Sequence, residues 1–310
     1  MDAELPPVPP RPDLGRQDVP PATWREVDPG RMGAAAIVGA GVRIWSKNWF
    51  PWFLVTLAMT GVISVIIAAV DPWTGAFGAQ GWFSGRPTSR PDPNASAVIL
   101  SLVLSLFLTP WLVVVLSRGT LLATFREPPI GRAMIGKTIR GVHSVVWIIV
   151  LLVLFGIPVV LILVGIGAAV HSWTGATALL LLIPLALVLV LVPRIATCTH
   201  IFVAEDLRGS RAIAGAWGLS KGAWGTSAGT LLLFLLLGIA VSIIPGIVVG
   251  GAFSDPVVGD SIPRAVIQAL LTAVTTPMST AVIAALYLEL HARKGTLDQQ
   301  TLRTNLARFD

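Results

Sequence analysis

The chain has 310 residues, of which 54% are hydrophobic and only 12% are charged, and its formal net charge is +6. A water-soluble domain carries about twice that charged fraction. The composition therefore excludes an ordinary soluble globular protein and predicts an integral membrane protein.

The first 28 residues form the most polar part of the chain and are rich in proline and in charged residues. They lack the apolar run of a secretory signal peptide. Such a composition does not bury enough apolar surface to fold. We therefore expect residues 1–28 to be a disordered cytoplasmic tail, followed by a membrane domain over residues 29–298.

Six segments have the length of about 20 apolar residues that a helix needs to cross a bilayer. The predicted fold is therefore an all-α integral membrane protein with six transmembrane helices. The predicted spans are residues 50–70, 97–117, 144–170, 174–202, 226–252 and 265–288.

The basic residues predict the orientation of these spans. All but three of the 22 lysines and arginines flank one side of the predicted bundle, and the exceptions are Arg86, Arg90 and Arg264. Because positive loops stay in the cytoplasm, both termini are expected there, with the protein in the bacterial plasma membrane. Charge confined to loops beside the membrane indicates anionic lipid headgroups as partners and argues against nucleic acid.

Three stretches of the chain resemble one another. They begin at Ala36, Ala133 and Ala212, and their alignment superimposes a glycine three residues later in each copy. Each copy contains a moderately apolar helix that runs directly into a span. The predicted unit is a cytoplasmic interfacial helix plus two spans, repeated with pseudo-threefold symmetry over residues of about 33–126, 127–205 and 206–294.

The interfacial position is predicted from side-chain periodicity. In the third copy Ile213, Trp217 and Trp224 recur at helical spacing, whereas Arg211 and Lys221 lie off that stripe. Tryptophan is enriched at the level of the lipid headgroups. These helices are therefore expected to lie along the cytoplasmic membrane surface.

A charged hinge precedes the second and third interfacial helices. Glu127 and Arg132 in one copy match Asp206 and Arg211 in the next, five residues apart in both. We expect each acid to pair with its arginine across the turn. Two interpretations stay open for this hinge, a structural turn and a part of a functional surface.

The C-terminal stretch continues the pattern. Glu289 and Arg293 are spaced as an i,i+4 helical ion pair, and Thr296 with Gln299 predicts a capping box. Residues 299–310 are therefore expected to form a short amphipathic cytoplasmic tail. The apolar residues of this tail are Leu302, Leu306 and Phe309.

Arg118 and Arg194 are the candidate polar or anion contacts, because each lies within or beside an apolar span and an intramembrane charge is costly. One interpretation is an anchor that reaches headgroups or caps carbonyls. The other is a cytoplasm-facing polar cavity that binds an anionic headgroup or solute. Cys198 and His200 are two residues apart on a helix and so point in different directions, which argues against a shared metal. No catalytic motif is recognised, and neither a metal nor a cofactor is expected.

Two quoted stretches carry a family resemblance. "FVAEDLRGSRAIAGAWGLSKGAWGTSAGTLLLFLLL" begins at Phe202, and "TAVIAALYLELHARKGTLD" begins at Thr280. They resemble the actinobacterial multi-pass proteins called glycerophosphoryl diester phosphodiesterase membrane-domain-like, over about residues 33–298. The resemblance implies a membrane module only, since the catalytic domain of such an enzyme is a barrel of about 250 residues and no matching catalytic residue is present.

The sequence therefore predicts a non-enzymatic membrane scaffold or accessory module, with a membrane or cytoplasmic protein as a partner besides the lipid bilayer. The alternative is a transporter or lipid-handling protein, which the proline-kinked helices and buried arginines favour. A membrane-embedded hydrolase is a third hypothesis, and it requires a cluster of carboxylates or histidines.

Overall fold

The computed structural model describes residues 32–70, 95–124, 146, 190–252, 261–296 and 305–306. Within these residues all regular secondary structure is helical and no β-strand occurs, as predicted. The helices are α1 (Ala34–Val70), α2 (Ala95–Thr124), α3 (Cys198–Glu205), α4 (Ser210–Ser220), α5 (Trp224–Ala252) and α6 (Ser261–Lys294). The predicted span at 144–170, apart from residue 146, and most of the span at 174–202 lie outside the described residues.

Two of the described helices contain segments long and apolar enough to cross a membrane, Trp224–Val241 in α5 and Ala269–Lys294 in α6. The first has 18 residues, which is about 27 Å of helix against a hydrocarbon core of about 30 Å. Much of the apolar surface of α5 faces away from the protein, because Leu232, Leu235 and Leu236 are exposed.

Helix α1 consists of two helical segments joined at Asn48. The backbone of Asn48 is not helical, with φ −126° and ψ 17°, and its Nδ2 donates to the carbonyl of Ile44 at 3.1 Å. Pro51, three residues later, lacks the N–H that would continue the helical hydrogen bonds. The break separates a first segment of residues 34–47 from the apolar segment that was predicted to be the first span.

The charged hinge of the third copy is a tight turn between α3 and α4. Asp206 adopts the left-handed conformation with φ 53°, and Gly209 has φ 55°. Both values are costly for most residues but are accessible to aspartate and to glycine. The chain therefore reverses within four residues, and α4 packs back against α3, with Gly215 beside Ile201 and Leu207.

The first segment of α1 packs on α6. A Cβ atom placed on Gly41 would lie 2.5 Å from the Cα of Val282, so the two backbones approach as closely as glycine permits. The N–H of Met32 bonds to Glu289. As the chain advances from Met32 to Gly41, its partner on α6 moves back from Glu289 to Val282, so the helices are antiparallel.

The two described stretches that the sequence alignment matched also begin and break at aligned positions. Helices α1 and α4 begin at Ala34 and Ser210, and each start lies five residues before the aligned glycine of its copy, Gly39 or Gly215. Nine residues after those glycines come the break in α1 and the first residue of α5. The helix expected around Ile213 and Trp217 is confirmed as α4, and its position along the membrane surface stays a prediction.

Candidate functional site: a polar clamp at one end of the helices

A buried carboxylate lies near the C-terminal end of α6. Glu289 is 1% exposed, and its Oε1 accepts hydrogen bonds from the N–H of Met32 at 3.0 Å and from Nε of Arg293 at 2.7 Å. The i,i+4 ion pair predicted from the sequence is confirmed. A buried charge needs both a counter-ion and hydrogen bonds, and Glu289 has both.

Arg293 extends these contacts to two further helices. Its Nη2 donates to the carbonyl of Met32 at 2.8 Å, and its Nη1 donates to the hydroxyl of Thr226 at 2.9 Å. Met32 lies two residues before the start of α1, and Thr226 lies in the first turn of α5. We call Met32, Thr226, Glu289 and Arg293 the polar clamp, because they join α1, α5 and α6.

A second polar cluster joins α3 to α6. Oε1 of Glu205 accepts from the hydroxyl of Tyr287 at 3.1 Å and lies 3.0 Å from Nε2 of His291, whose Nδ1 is 2.9 Å from the Thr296 hydroxyl. These contacts are all satisfied when Nε2 carries the imidazole proton and the Thr296 hydroxyl donates to Nδ1. The ring of buried His200 stacks on Tyr287 at 6.2 Å between centroids.

The end of α6 has the geometry that places Thr296 beside His291. Gly295 has φ 63°, its N–H donates to the carbonyl of Ala292, and the N–H of Thr296 donates to the carbonyl of His291, both at 3.1 Å. This pair of bonds is a Schellman motif. It ends α6 and turns the Thr296 side chain back toward the helix.

Arg118, the first candidate anion contact, lies in the protein interior. It is 1% exposed, and its Nη2 donates to the carbonyl of Leu306 at 3.0 Å. Leu306 is itself buried, and the neighbouring Asn305 donates from Nδ2 to the carbonyl of Ala204 at 2.9 Å. Arg118 therefore binds a backbone carbonyl near the C-terminus and does not extend to the protein surface.

Arg194, the second candidate, lies in a short helical stretch over residues 190–195 and contacts α4. Its guanidinium carbon is 4.3 Å from the centre of the Trp217 ring, a cation–π contact. Its Nε is buried and has no hydrogen-bond partner among the described residues. The two arginines therefore lie in different environments. Arg118 is bonded to a buried backbone carbonyl, whereas Arg194 lies against an exposed tryptophan.

The hinge charges are arranged differently from the prediction. Asp206 pairs with Arg208, whose Nε and Nη2 both lie 3.3 Å from Oδ1, and not with the expected partner Arg211. The left-handed backbone at Asp206 turns the chain so that a residue two positions on is the nearer one. Arg211 is exposed in the first turn of α4. Glu127 and Arg132 lie outside the described residues.

Glu205, Tyr287 and His291 were not predicted as a group from the sequence. The available signal was the spacing of Tyr287 and His291, one helical turn apart on α6, with Glu205 directly before the hinge. Nothing in the sequence indicated that these elements meet, since Glu205 and His291 are 86 residues apart.

The described residues contain no group of three or more histidine, cysteine, aspartate or glutamate side chains placed to hold a metal ion. No protein-family model matches the chain, and no curated protein or solved structure matches it either.

Proposed function

We propose that the protein is a non-enzymatic scaffold of the bacterial plasma membrane, with six spans, both termini cytoplasmic and three helix–span–span units. One observation carries this proposal: the buried side chains of Glu289 and Arg118, and the partly exposed side chain of Arg293, bond to the protein's own chain. Glu289, Arg293 and Arg118 each contact a distant backbone segment. A catalytic or transport site presents such groups to a substrate, whereas these groups hold helices together.

The location in a membrane is supported by the outward face of α5. Its exposed leucines form a continuous apolar surface, and soluble monomers rarely expose a large one. In a bilayer the same surface faces lipid at no cost. The apolar segments of α5 and α6 are also long enough to cross a membrane.

The repeated architecture is supported by the two matching helix pairs. Between α3 and α4 the covalent turn at residues 206–209 holds the pair together. Between α6 and α1 no adjacent chain connects the helices, and the polar clamp bonds Met32 to the end of α6 instead. On this proposal the clamp closes a ring of three units, because it replaces the covalent turn at the one junction that has none.

The scaffold function is tested by comparing the intact protein with a clamp variant. The tagged wild-type protein and Arg293→Leu are solubilised in mild detergent after chemical crosslinking in cells. A scaffold is expected to retain a defined partner in fixed stoichiometry, and the clamp variant is expected to lose it while remaining in the membrane. Recovery of partner-free protein that catalyses flux of a solute into proteoliposomes would contradict the scaffold function.

A transporter or lipid-handling function is the second candidate, and the environment of Arg194 favours it. A partly buried guanidinium with an unbonded Nε beside an exposed tryptophan is suited to an anionic group. Flux or lipid exchange in proteoliposomes that depends on Arg194 would replace the scaffold function with this one.

A further inference from the structure

The described part of the chain has more cations than its own carboxylates neutralise. Its three carboxylates are each bonded to a basic side chain, Glu205 to His291, Asp206 to Arg208 and Glu289 to Arg293. No described carboxylate lies within ion-pair distance of Arg194, Lys221 or Lys294.

These three cations meet at the C-terminal end of α4. The carbonyl of Gly218 accepts a hydrogen bond from Nζ of Lys294 and another from the backbone N–H of Lys221, the residue that follows α4. Arg194 stacks on Trp217, the residue directly before Gly218. The side chains of Arg194 and Lys294 therefore both contact residues 217–218, and Lys221 follows in the chain three residues after Gly218.

The helix itself offsets only a part of this charge. The C-terminal end of a helix carries about half a negative elementary charge, whereas the three side chains carry three positive charges. Trp217, which contacts Arg194, is 40% exposed, and Trp224, the first residue of α5, is also exposed. An amphipathic aromatic ring beside cations that no described carboxylate pairs with is the arrangement that binds the headgroup region of an anionic leaflet.

We infer that Arg194, Trp217, Lys221 and Lys294 form a binding site for the phosphate of an anionic phospholipid headgroup. Trp217 inserts beside the lipid, Arg194 donates from its planar guanidinium to the phosphate oxygens, and the lysines supply charge. The inference rests on the proposed membrane topology, because that topology places the end of α4 at the cytoplasmic leaflet.

The test uses the full-length protein in a neutral detergent, titrated with dioctanoyl phosphatidylglycerol or with dioctanoyl phosphatidylcholine as a probe. Saturable binding of the anionic lipid and weak binding of the zwitterionic lipid are expected. Since each cation contributes about fivefold to the affinity for an anionic surface, or ~1 kcal/mol, Arg194→Gln with Lys221→Gln should weaken binding about 25-fold. Lys221→Gln alone should weaken it about fivefold, and Lys221 is exposed, so the fold is preserved.

Lys47→Gln is the matched control, because Lys47 is also exposed and has no described carboxylate partner, but it lies on α1. Its affinity should stay within twofold of the wild-type value. Equal affinity for both lipids, or an unchanged affinity in the double variant, would overturn the inference. Saturable competition by millimolar inorganic phosphate would assign the site to a free anion and so overturn the lipid assignment. These outcomes are independent of whether the protein scaffolds a partner, which the crosslinking comparison reports.

Discussion

Arg293 is bonded to the backbone of Met32 both directly and through the side chain of Glu289. Nη2 of Arg293 donates to the Met32 carbonyl at 2.8 Å, and the carboxylate that Arg293 holds, Glu289, accepts from the Met32 N–H at 3.0 Å. One peptide segment at the start of α1 is therefore bound through both its donor and its acceptor by the end of α6. This relationship fixes the register of the two helices with respect to each other.

The ion pair of the polar clamp predicts that the stability losses of its single and double variants are not additive. Arg293→Leu should lower the free energy of unfolding by about 3 kcal/mol, because the buried carboxylate of Glu289 loses its bonded cation. The double variant Glu289→Leu with Arg293→Leu should lose clearly less than the sum of the two single variants, since it leaves no buried charge. Denaturant titration in mixed detergent micelles measures all three, and strictly additive losses would show that the pair is not coupled.

The close approach of α1 to α6 predicts a steric effect at one glycine. Gly41→Ala should destabilise the protein by about 1–3 kcal/mol, because the new methyl group overlaps the backbone of Val282. Gly39→Ala, two residues earlier, has no neighbour within 4 Å and should be neutral or stabilising, since alanine favours a helix over glycine. The same titration distinguishes them, and equal effects at both positions would contradict the packing of α1 on α6.

The part of this fold that the sequence predicted is local. The pair Glu289 and Arg293 follows from helical spacing alone, and the hinge was recognisable from the charges that two stretches of the sequence share. The partner of Asp206 was mispredicted, because the five-residue spacing shared by the two hinges does not indicate the left-handed turn that brings Arg208 nearer than Arg211. The bond between Met32 and Glu289 joins residues 257 positions apart, and no periodicity within one helix indicates which distant backbone group will meet its buried carboxylate.

The C-terminal segment is predicted to contribute to stability through Leu306. Leu306→Ala should cost about 2–4 kcal/mol, since the side chain is 2% exposed and packs in the core with Leu121 and Phe202. Leu236→Ala on the outward face of α5 is the control, because its side chain is exposed and its loss should change stability by less than about 0.5 kcal/mol. An equally small effect at Leu306 would mean that the segment is not docked.

Arg194 is predicted to need the shape of arginine as well as its charge. Arg194→Lys should give a folded, correctly inserted protein with impaired function, because an ammonium neither stacks flat on Trp217 nor donates through a planar fork. Arg194→Leu should also change the packing of residues 190–195 on α4. A complementation assay with a membrane-insertion control reads both, and full activity of the lysine variant would remove Arg194 from the functional residues.

The central claim is a multi-pass topology with the clamp end in the cytoplasm, and cysteine labelling tests it most directly. Cys198 is the only cysteine of the chain, so Cys198→Ala provides a cysteine-free background for Pro91→Cys and Ser210→Cys. With a membrane-impermeant maleimide, Pro91→Cys should label in intact cells, whereas Ser210→Cys, exposed at the start of α4, should label only after permeabilisation. Labelling of Ser210→Cys in intact cells, or protection of Pro91→Cys, would contradict the account.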